Sequence, residues 1–286
     1  MSTPLQNKID FAVVLKVKNA NPNGDPLNGN RPRTDYRNYG EISDVAIKRK
    51  IRNRLLDEGE AVFVQSDDRK NDDAGSLRER ADANLDMKKK PDEIAKQACA
   101  KWLDVRAFGQ LLAFKSKKKA GKKGEATEGD EGDGGVSIGI RGPVSVQPAF
   151  SLEPIEVSST QITKSVSGEG TGEKRGSDTM GMKHRVDGGV YTFFGSMNPQ
   201  LAERTGFSDK DAESIKKVLP KLFENDESSA RPAGSMQVLK VYWWKHNSKS
   251  GQYSSAKVHG TLTVNPDGSS TTNDLSGLKP EPIEGF

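Results

Sequence analysis

In the stretch "IDFAVVLKVK" (9–18), Ile9, Phe11, Val13, Leu15 and Val17 fall on one face of an extended strand, and the other face is mixed. The segment after this strand constrains the fold more than the strand does. An ordinary connection needs about two to six residues, but this chain runs through "NANPNGDPLNGNRPRTD" (19–35), rich in Asn, Gly, Pro and Arg. It then enters "SDVAIKRKIRNRLLDEG", where Ile47, Ile51 and Leu55 repeat every four residues, Ser43 or Asp44 can cap, and Gly59 gives a stop. A strand, a long polar loop and a basic helix must share one core.

The rest of the chain alternates between apolar pattern and polar excursion. "AVFVQ" (61–65) reads as a strand, and 67–92 loses its apolar spacing. A second helix spans "DEIAKQACAKWLDVRAFGQLLAF" (92–114), with Asp104 and Gly109 disturbing its middle. In 115–135 six Lys precede five acids with no large apolar residue, the composition of a flexible surface segment. "VSIGIRGPVSVQPAFSLEPIEV" gives one or two strands broken at Gly142 and Pro143, and 158–189 is a second Gly/Ser/Lys-rich excursion. "VYTFFGSMN" is a strand, Ser208 caps the helix "DKDAESIKKVLPKLF", and "SMQVLKVYWWKH" and "AKVHGTLTV" read as neighbouring strands.

Without the excursions the order is strand, helix, strands, helix, strand. That is the α+β split βαβ arrangement of ferredoxin-like or RRM-type folds, an antiparallel sheet with helices on one face. Such a core takes fewer than about 100 residues, so the remainder must be insertions on a rigid sheet, where binding function tends to sit.

The formal charge of +4 says less than its distribution. Eight Lys/Arg face three Asp/Glu between Arg31 and Arg54, whereas the last 22 residues hold four acids and one Lys. A basic front suggests an anionic partner. Cys99, the single cysteine, excludes an internal disulfide framework, fits a reducing cytoplasm, and reads as a small packed residue. With His184, His246 and His259 it forms no metal-ligand spacing. No apolar run approaches the roughly 20 residues of a membrane helix, and none reads as a signal peptide. The expectation is therefore no membrane partner, no metal and no cofactor.

On the basic helix the stripe Ile47, Ile51, Leu55 leaves Lys48, Arg49, Arg52 and Lys50 pointing elsewhere. Cations crowded on one helix repel one another unless an anion lies against them, and a phosphodiester backbone satisfies that by charge-assisted hydrogen bonds. The preceding "NRPRTDYR" adds Arg31, Arg33 and Arg37 on a backbone stiffened by proline.

These residues also carry a resemblance. "NPNGDPLNGNRPRTD" followed by "GEISDVAIKRKIRNRL" resembles the start of the backbone subunits of type I CRISPR Cascade complexes, with the type I-C family (Cas-seven, Csd-two-like) nearest. "WLDVRAFGQLLA", "IRGPVSVQPAFSLEPI", "ITKSV" and "TMGMKHRVDGGVYTFFGSMNP" agree in the same order, over roughly residues 9–245. The segment 115–135 is a local addition.

The resemblance implies an RRM-like palm with a finger-like insertion at about 66–95 and a thumb-like one at 158–189. It implies a subunit without catalytic activity that stacks head-to-tail on CRISPR guide RNA. Its other partners would be target DNA through the guide and the remaining Cascade subunits (guide-end cap, large and small). RNA contact carries over to Arg31, Arg33, Lys48, Arg49 and Arg52, and extends to Arg106 in "DVRAFG" and Arg141 in "IRGPV". Met180 and Met182 in the thumb-like insertion would be a base-displacing wedge, or would anchor the loop to the sheet. Lys164, Lys183, His184 and Arg185 would supply cations beside them.

No RNP-type aromatic motif accompanies the fold pattern. Trp243 and Trp244 are adjacent, so they face opposite sides of a strand and at least one is core. Two other readings stand beside the binder. A repeat-associated endoribonuclease would use His184, or Asp25 or Asp35 with a metal, while His246 and His259 look structural. A protein that polymerises without nucleic acid would leave the clustered Arg and Lys without an anion.

Overall fold

The structure, a computed structural model, describes residues 3–114, 136–163 and 180–286. In chain order the elements are β1 (Ile9–Ala20), the two-residue strands β2 (Gly24–Asp25) and β3 (Arg31–Pro32), β4 (Tyr39–Ile42) and α1 (Asp44–Asp57). Then come α2 (Leu77–Asn84), α3 (Pro91–Lys101), α4 (Leu103–Phe108), β5 (Gly109–Phe114), β6 (Val136–Arg141), β7 (Val144–Val146), β8 (Ala149–Pro154) and β9 (Val157–Thr163). The chain continues through β10 (Met180–Met197), α5 (Pro199–Thr205), α6 (Asp209–Val218), β11 (Met236–Lys245) and α7 (Ser255–His259), and closes with β12 (Leu262–Val264), β13 (Ser270–Thr272) and β14 (Glu281–Glu284).

The central sheet is antiparallel, in the order β14-β11-β1-β10-β8-β4, with β7 and β9 also pairing on β10. β1 lies in its middle, opposite Tyr191 of β10 at Leu15 and Trp243 of β11 at Phe11. Its odd residues do face one core, with Ile47, Ile51 and Leu55 of α1 and Ala212, Ile215 and Val218 of α6 packed against them. Ser43 caps α1 by accepting the Ala46 N–H, and Ser208 and Asp211 cap each other's backbone at α6. Phe11 lies so close over β10 that a Cβ on Gly195 would meet its ring at 2.2 Å, so only glycine fits there.

The other face of β1 is covered as well. Ala12 and Val14 join Val190, Tyr242 and Trp244 in a second layer closed by Val258 and Leu278 from the C-terminal segment. Trp243 and Trp244 point to opposite faces, and both are core. Asp10 is sealed into this layer, 2.9 Å from His246 Nε2 and 3.1 Å from Lys8 Nζ. Burial disfavours its charge, but these partners outweigh burial and hold its carboxyl below the usual range.

Several expected elements differ. "AVFVQ" is not a strand: the Asp104 carboxylate accepts the N–H groups of Phe63 (2.7 Å) and Val64 (3.1 Å), so a side chain takes the donors a sheet partner would have used. The long second helix breaks at Trp102, which is extended and packs its ring 4.6 Å from Phe63, and it becomes a strand from Gly109 onward. Part of the polar stretch 67–92 is helical, and Ala81 and Leu85 enter a separate small core with Phe63, Ile94, Cys99, Trp102, Leu112 and Ile138. Burial pushes the Cys99 thiol up to about 11. "AKVHGTLTV" splits into α7 and β12, because Ser254 caps a helical turn and His259 stacks on Phe194 at 4.8 Å. Among the described residues no helix is long and apolar enough to cross a membrane.

Candidate nucleic-acid interface

The first loop is built rather than slack. Asn23 Oδ1 accepts both the N–H and the hydroxyl of Ser43 at 2.9 Å, tying the loop to the start of α1. Asn21 donates its N–H to the Ala230 carbonyl at 2.8 Å and its side-chain amide to the Asn30 carbonyl at 2.7 Å. Asn19, Asn30 and Asn38 adopt positive φ, the left-handed region that Asn tolerates better than most residues. The Asn-rich composition thus serves a fixed path that carries Arg31 and Arg33.

The cations of α1 divide into two kinds. Lys50 is 2% exposed, paired with Asp226 and 5.5 Å from the Phe223 ring centroid. Burial lowers its pKa to about 8, and Asp226 works against that shift. Its expected outward position is therefore corrected: residue 50 falls on the buried side, and an acid 176 residues away makes that tolerable. Arg54 is likewise buried beside Asp57. Arg52 is intermediate, bonded through Nε to Asp104 at 2.9 Å with its guanidinium 5.0 Å from the Phe108 centroid. Lys48 pairs with Asp44 one turn earlier at 2.9 Å. Arg49 is exposed and makes no hydrogen bond or ion pair among the described residues.

Lys48 and Arg52 meet Arg141 across an open groove of about 630 Å³. Arg141 ends β6 opposite Gly109 and is exposed. Gly109 has φ +79, and a Cβ on it would sit 2.2 Å from the Ile140 carbonyl, which lets the two backbones close at the groove wall. Val45, Phe108 and Leu111 give the groove apolar walls, with Val45 and Leu111 largely exposed. Sequence reasoning missed these three. The only signal was Val45, one helical turn from Lys48 and Arg49 and outside the buried stripe. Arg106 does not join the groove's cations. Its guanidinium makes a bidentate pair with Asp211 (2.7 and 3.1 Å) and donates to the Cys99 carbonyl at 3.3 Å. Burial raises the Asp211 pKa, but this pair and the Ser208 bonds prevail and hold it low.

A second cationic region lies where β9 and the first half of β10 leave the sheet as a two-stranded arm. Arg31 Nη1 donates to Ser159 Oγ at 2.9 Å, and His184 Nδ1 is 2.8 Å from the same oxygen, so the first loop and the arm are joined. Lys183 is exposed and Arg185 lies 3.5 Å from Asp187. Met180 and Met182 are 61% and 55% exposed on one face of the arm, with Gln161 Nε2 donating to the Met180 sulfur at 3.0 Å. Arg33 is 3.5 Å from Asp25. Lys164 lies outside the described residues. Asp35 accepts backbone N–H groups in its own turn, and among the described residues no group of His, Cys, Asp and Glu could hold a metal ion.

These features define a class first: an α+β protein with a sheet covered on both faces and outward cations on a groove and a projecting arm. The chain belongs to the CRISPR-associated protein Cas7 family, whose model matches residues 7–279. A CRISPR-associated protein Cas7 from Haloferax volcanii is 26% identical over 277 residues, covering 95% of this chain and 79% of that protein. Among solved structures, a chain of a "CRISPR RNA-guided surveillance complex, pre-nicking" aligns over 83% of this chain and 78% of its own, at 14% identity and a TM-score of 0.49. A chain of another CRISPR RNA-guided surveillance complex aligns over 83% and 68%, at 16% identity and a TM-score of 0.46.

Proposed function

We propose that this chain is a non-catalytic, guide-RNA-binding backbone subunit of a type I-C Cascade effector complex, working in the cytoplasm without a cofactor. On this reading the sheet with α1 and α6 is an RRM-like palm, residues 66–95 belong to a finger-like insertion, and the β9–β10 arm is part of a thumb-like one. The type I-C assignment rests on the likeness of the motifs at 21–35, 40–55, 102–113, 140–155 and 179–199 to that family.

The observation that carries the reading is the groove. Lys48 and Arg52, one turn apart on α1, meet Arg141 from the end of β6 on one open surface, with exposed Arg49 next to Lys48. A phosphodiester backbone suits such a surface, since each phosphate takes charge-assisted bonds and releases counterions. Arg31, Lys183, His184 and Arg185 extend the contact set onto the arm, whereas Arg106 is left out because Asp211 and the Cys99 carbonyl take all three of its guanidinium nitrogens; Arg52 gives Asp104 only its Nε and lines the groove. Both faces of the sheet's middle are covered, and Phe150 on β8 is the large aromatic of the sheet left exposed among the described residues, so the grip falls mainly on the backbone and leaves the bases for pairing with target DNA. Copies would associate head-to-tail by heterologous contacts that need not close into a ring, with cap, large and small subunits completing the complex.

The test is light scattering of nucleic-acid-free protein titrated with single-stranded RNAs of increasing length, followed by denaturing gels. Mass rising in steps with RNA length, over intact RNA, is the expected result. A fixed mass without binding would overturn the RNA reading, and cut RNA would overturn its non-catalytic part.

A further inference from the structure

The turn between β3 and β4 presents one aromatic ring to solvent on an unusually well-held support. Tyr36 is 86% exposed. Beneath it, Asp35 Oδ1 accepts the N–H groups of Arg37 (2.8 Å) and Tyr39 (2.9 Å), while the Asp35 and Tyr39 backbones bond to each other at 2.9 Å. Asn38 takes φ +67 to close the turn, and its carbonyl accepts the Ile155 N–H at 2.9 Å. Gly40 donates its N–H to Ser151 Oγ at 2.8 Å. The tip is thereby pinned to the rim of the sheet, and ordering it upon binding costs little entropy.

The ring also has a cation of its own. The Arg37 guanidinium carbon is 5.1 Å from the Tyr36 centroid, and Arg37 Nε donates to the Tyr36 hydroxyl at 2.9 Å. The guanidinium therefore sits at the hydroxyl edge of the ring and leaves the largely exposed ring open for stacking. Arg37 thus sets a cation beside an open ring, while Asp25 is engaged by Arg33 and Asp35 by the turn's own N–H groups. A flat π-system joined to an anion fits it. That is one nucleotide of a single strand, with the base stacked on the open ring face and its phosphate at the remaining N–H groups of Arg37.

We propose that Tyr36, held by the Asp35 turn and bonded at its hydroxyl by Arg37, is a stacking platform for one unpaired base of the bound RNA. The site is off the covered sheet and takes any base, since every base offers a π-face. This inference rests on the RNA-binding reading above and adds a contact to base rather than to backbone.

The test compares the full chain with its Tyr36→Ala, Tyr36→Phe and Arg37→Ala variants. Their binding to single-stranded RNA carrying 2-aminopurine would be measured across a series of salt concentrations. Tyr36→Ala should bind about five- to a hundredfold more weakly, lose the stacking quench of 2-aminopurine, and keep the wild-type dependence on salt. Tyr36→Phe should retain most of the affinity and the quench, whereas Arg37→Ala should flatten the salt dependence by about 0.7 in log–log slope. Tyr36 lies outside all three core clusters, so unchanged melting temperatures should accompany these effects. Equal binding by wild type and Tyr36→Ala would overturn the platform and leave the RNA reading standing. The same holds for a Tyr36→Phe variant as weak as Tyr36→Ala. Should Tyr36→Ala abolish self-association in the absence of RNA, the ring is a contact between protein copies and the proposal fails. If wild type binds no RNA at all, both readings fall together.

Discussion

Arg49 and Lys50 are neighbours on α1, and they belong to two different regions of the molecule. Around Lys50, Arg54 and Arg106 every cation has an acid within contact, contributed by Asp226, Asp57 and Asp211. Around Arg49, Arg141 and Lys183 no such acid exists among the described residues. The first region fastens elements together: Lys50 joins α1 to the loop before β11, and Arg106 joins α4 to α6. The second offers charge outward. A count of Lys and Arg in this stretch therefore overstates the binding surface, because part of the positive charge has been used up inside.

The sharpest way to break that division is to remove an internal acid. Asp104 is fully buried and accepts from Arg52 Nε and from the backbone of Phe63 and Val64. Asp104→Ala would strand a guanidinium and two N–H groups, and should destabilise the protein by about 3–5 kcal/mol in a denaturant midpoint measurement. A loss below about 1 kcal/mol would mean the internal acids do not anchor these cations.

Lys50 tests the same point through pH. Its pKa falls from 10.5 to about 8 on folding, so between those values the unfolded chain holds a proton that the folded protein has released. Stability from this group therefore rises as pH goes from 8 toward 10.5. Cys99, with its raised pKa, works in the opposite direction across part of that window, so the quantity to follow is a difference. Wild type should gain on Lys50→Met by on the order of 1–3 kcal/mol between about pH 8 and 10 in urea melts. A difference that stays flat with pH would show that Lys50 is not desolvated.

In the outward region the expected pattern reverses. Arg49→Ala with Arg141→Ala should leave the urea midpoint within about 0.5 kcal/mol of wild type. RNA retention should weaken, and the slope of log affinity against log salt should drop by about 1.4 for the two contacts. An unchanged slope would put the RNA elsewhere.

The features legible in the sequence are those of local pattern. The alternating face of β1, the Ile47–Ile51–Leu55 stripe, the Ser43 and Ser208 caps and the order of the core elements are all short-range, and the structure contains them. The hidden features are long-range. The partners that sort the cations, Asp104, Asp211 and Asp226, lie 52, 105 and 176 residues from Arg52, Arg106 and Lys50. No periodicity reports such pairs. "AVFVQ" misled for a related reason: a β-favouring run was claimed by a distant carboxylate. The second sheet face looked mixed because the segment that covers it, with Val258 and Leu278, comes from the far end of the chain.

Arg31 lies on the border between the two regions and should give the smallest effect. Its one side-chain hydrogen bond among the described residues runs to a neutral hydroxyl, Ser159, which also meets His184. Arg31→Ala should cost less than about 1 kcal/mol of stability, and a double-mutant cycle with Ser159→Ala should give a coupling of about 0.5 kcal/mol. Ser159→Ala alone frees the guanidinium without removing its charge, so the salt slope of RNA binding should hold at the wild-type value. Arg31→Ala should lower that slope by about 0.7. If both variants lower it equally, Arg31 reaches RNA only while Ser159 holds it against the arm. If neither does, Arg31 belongs with Arg106 as a fastener, and the contact surface narrows to the groove and the tip of the arm.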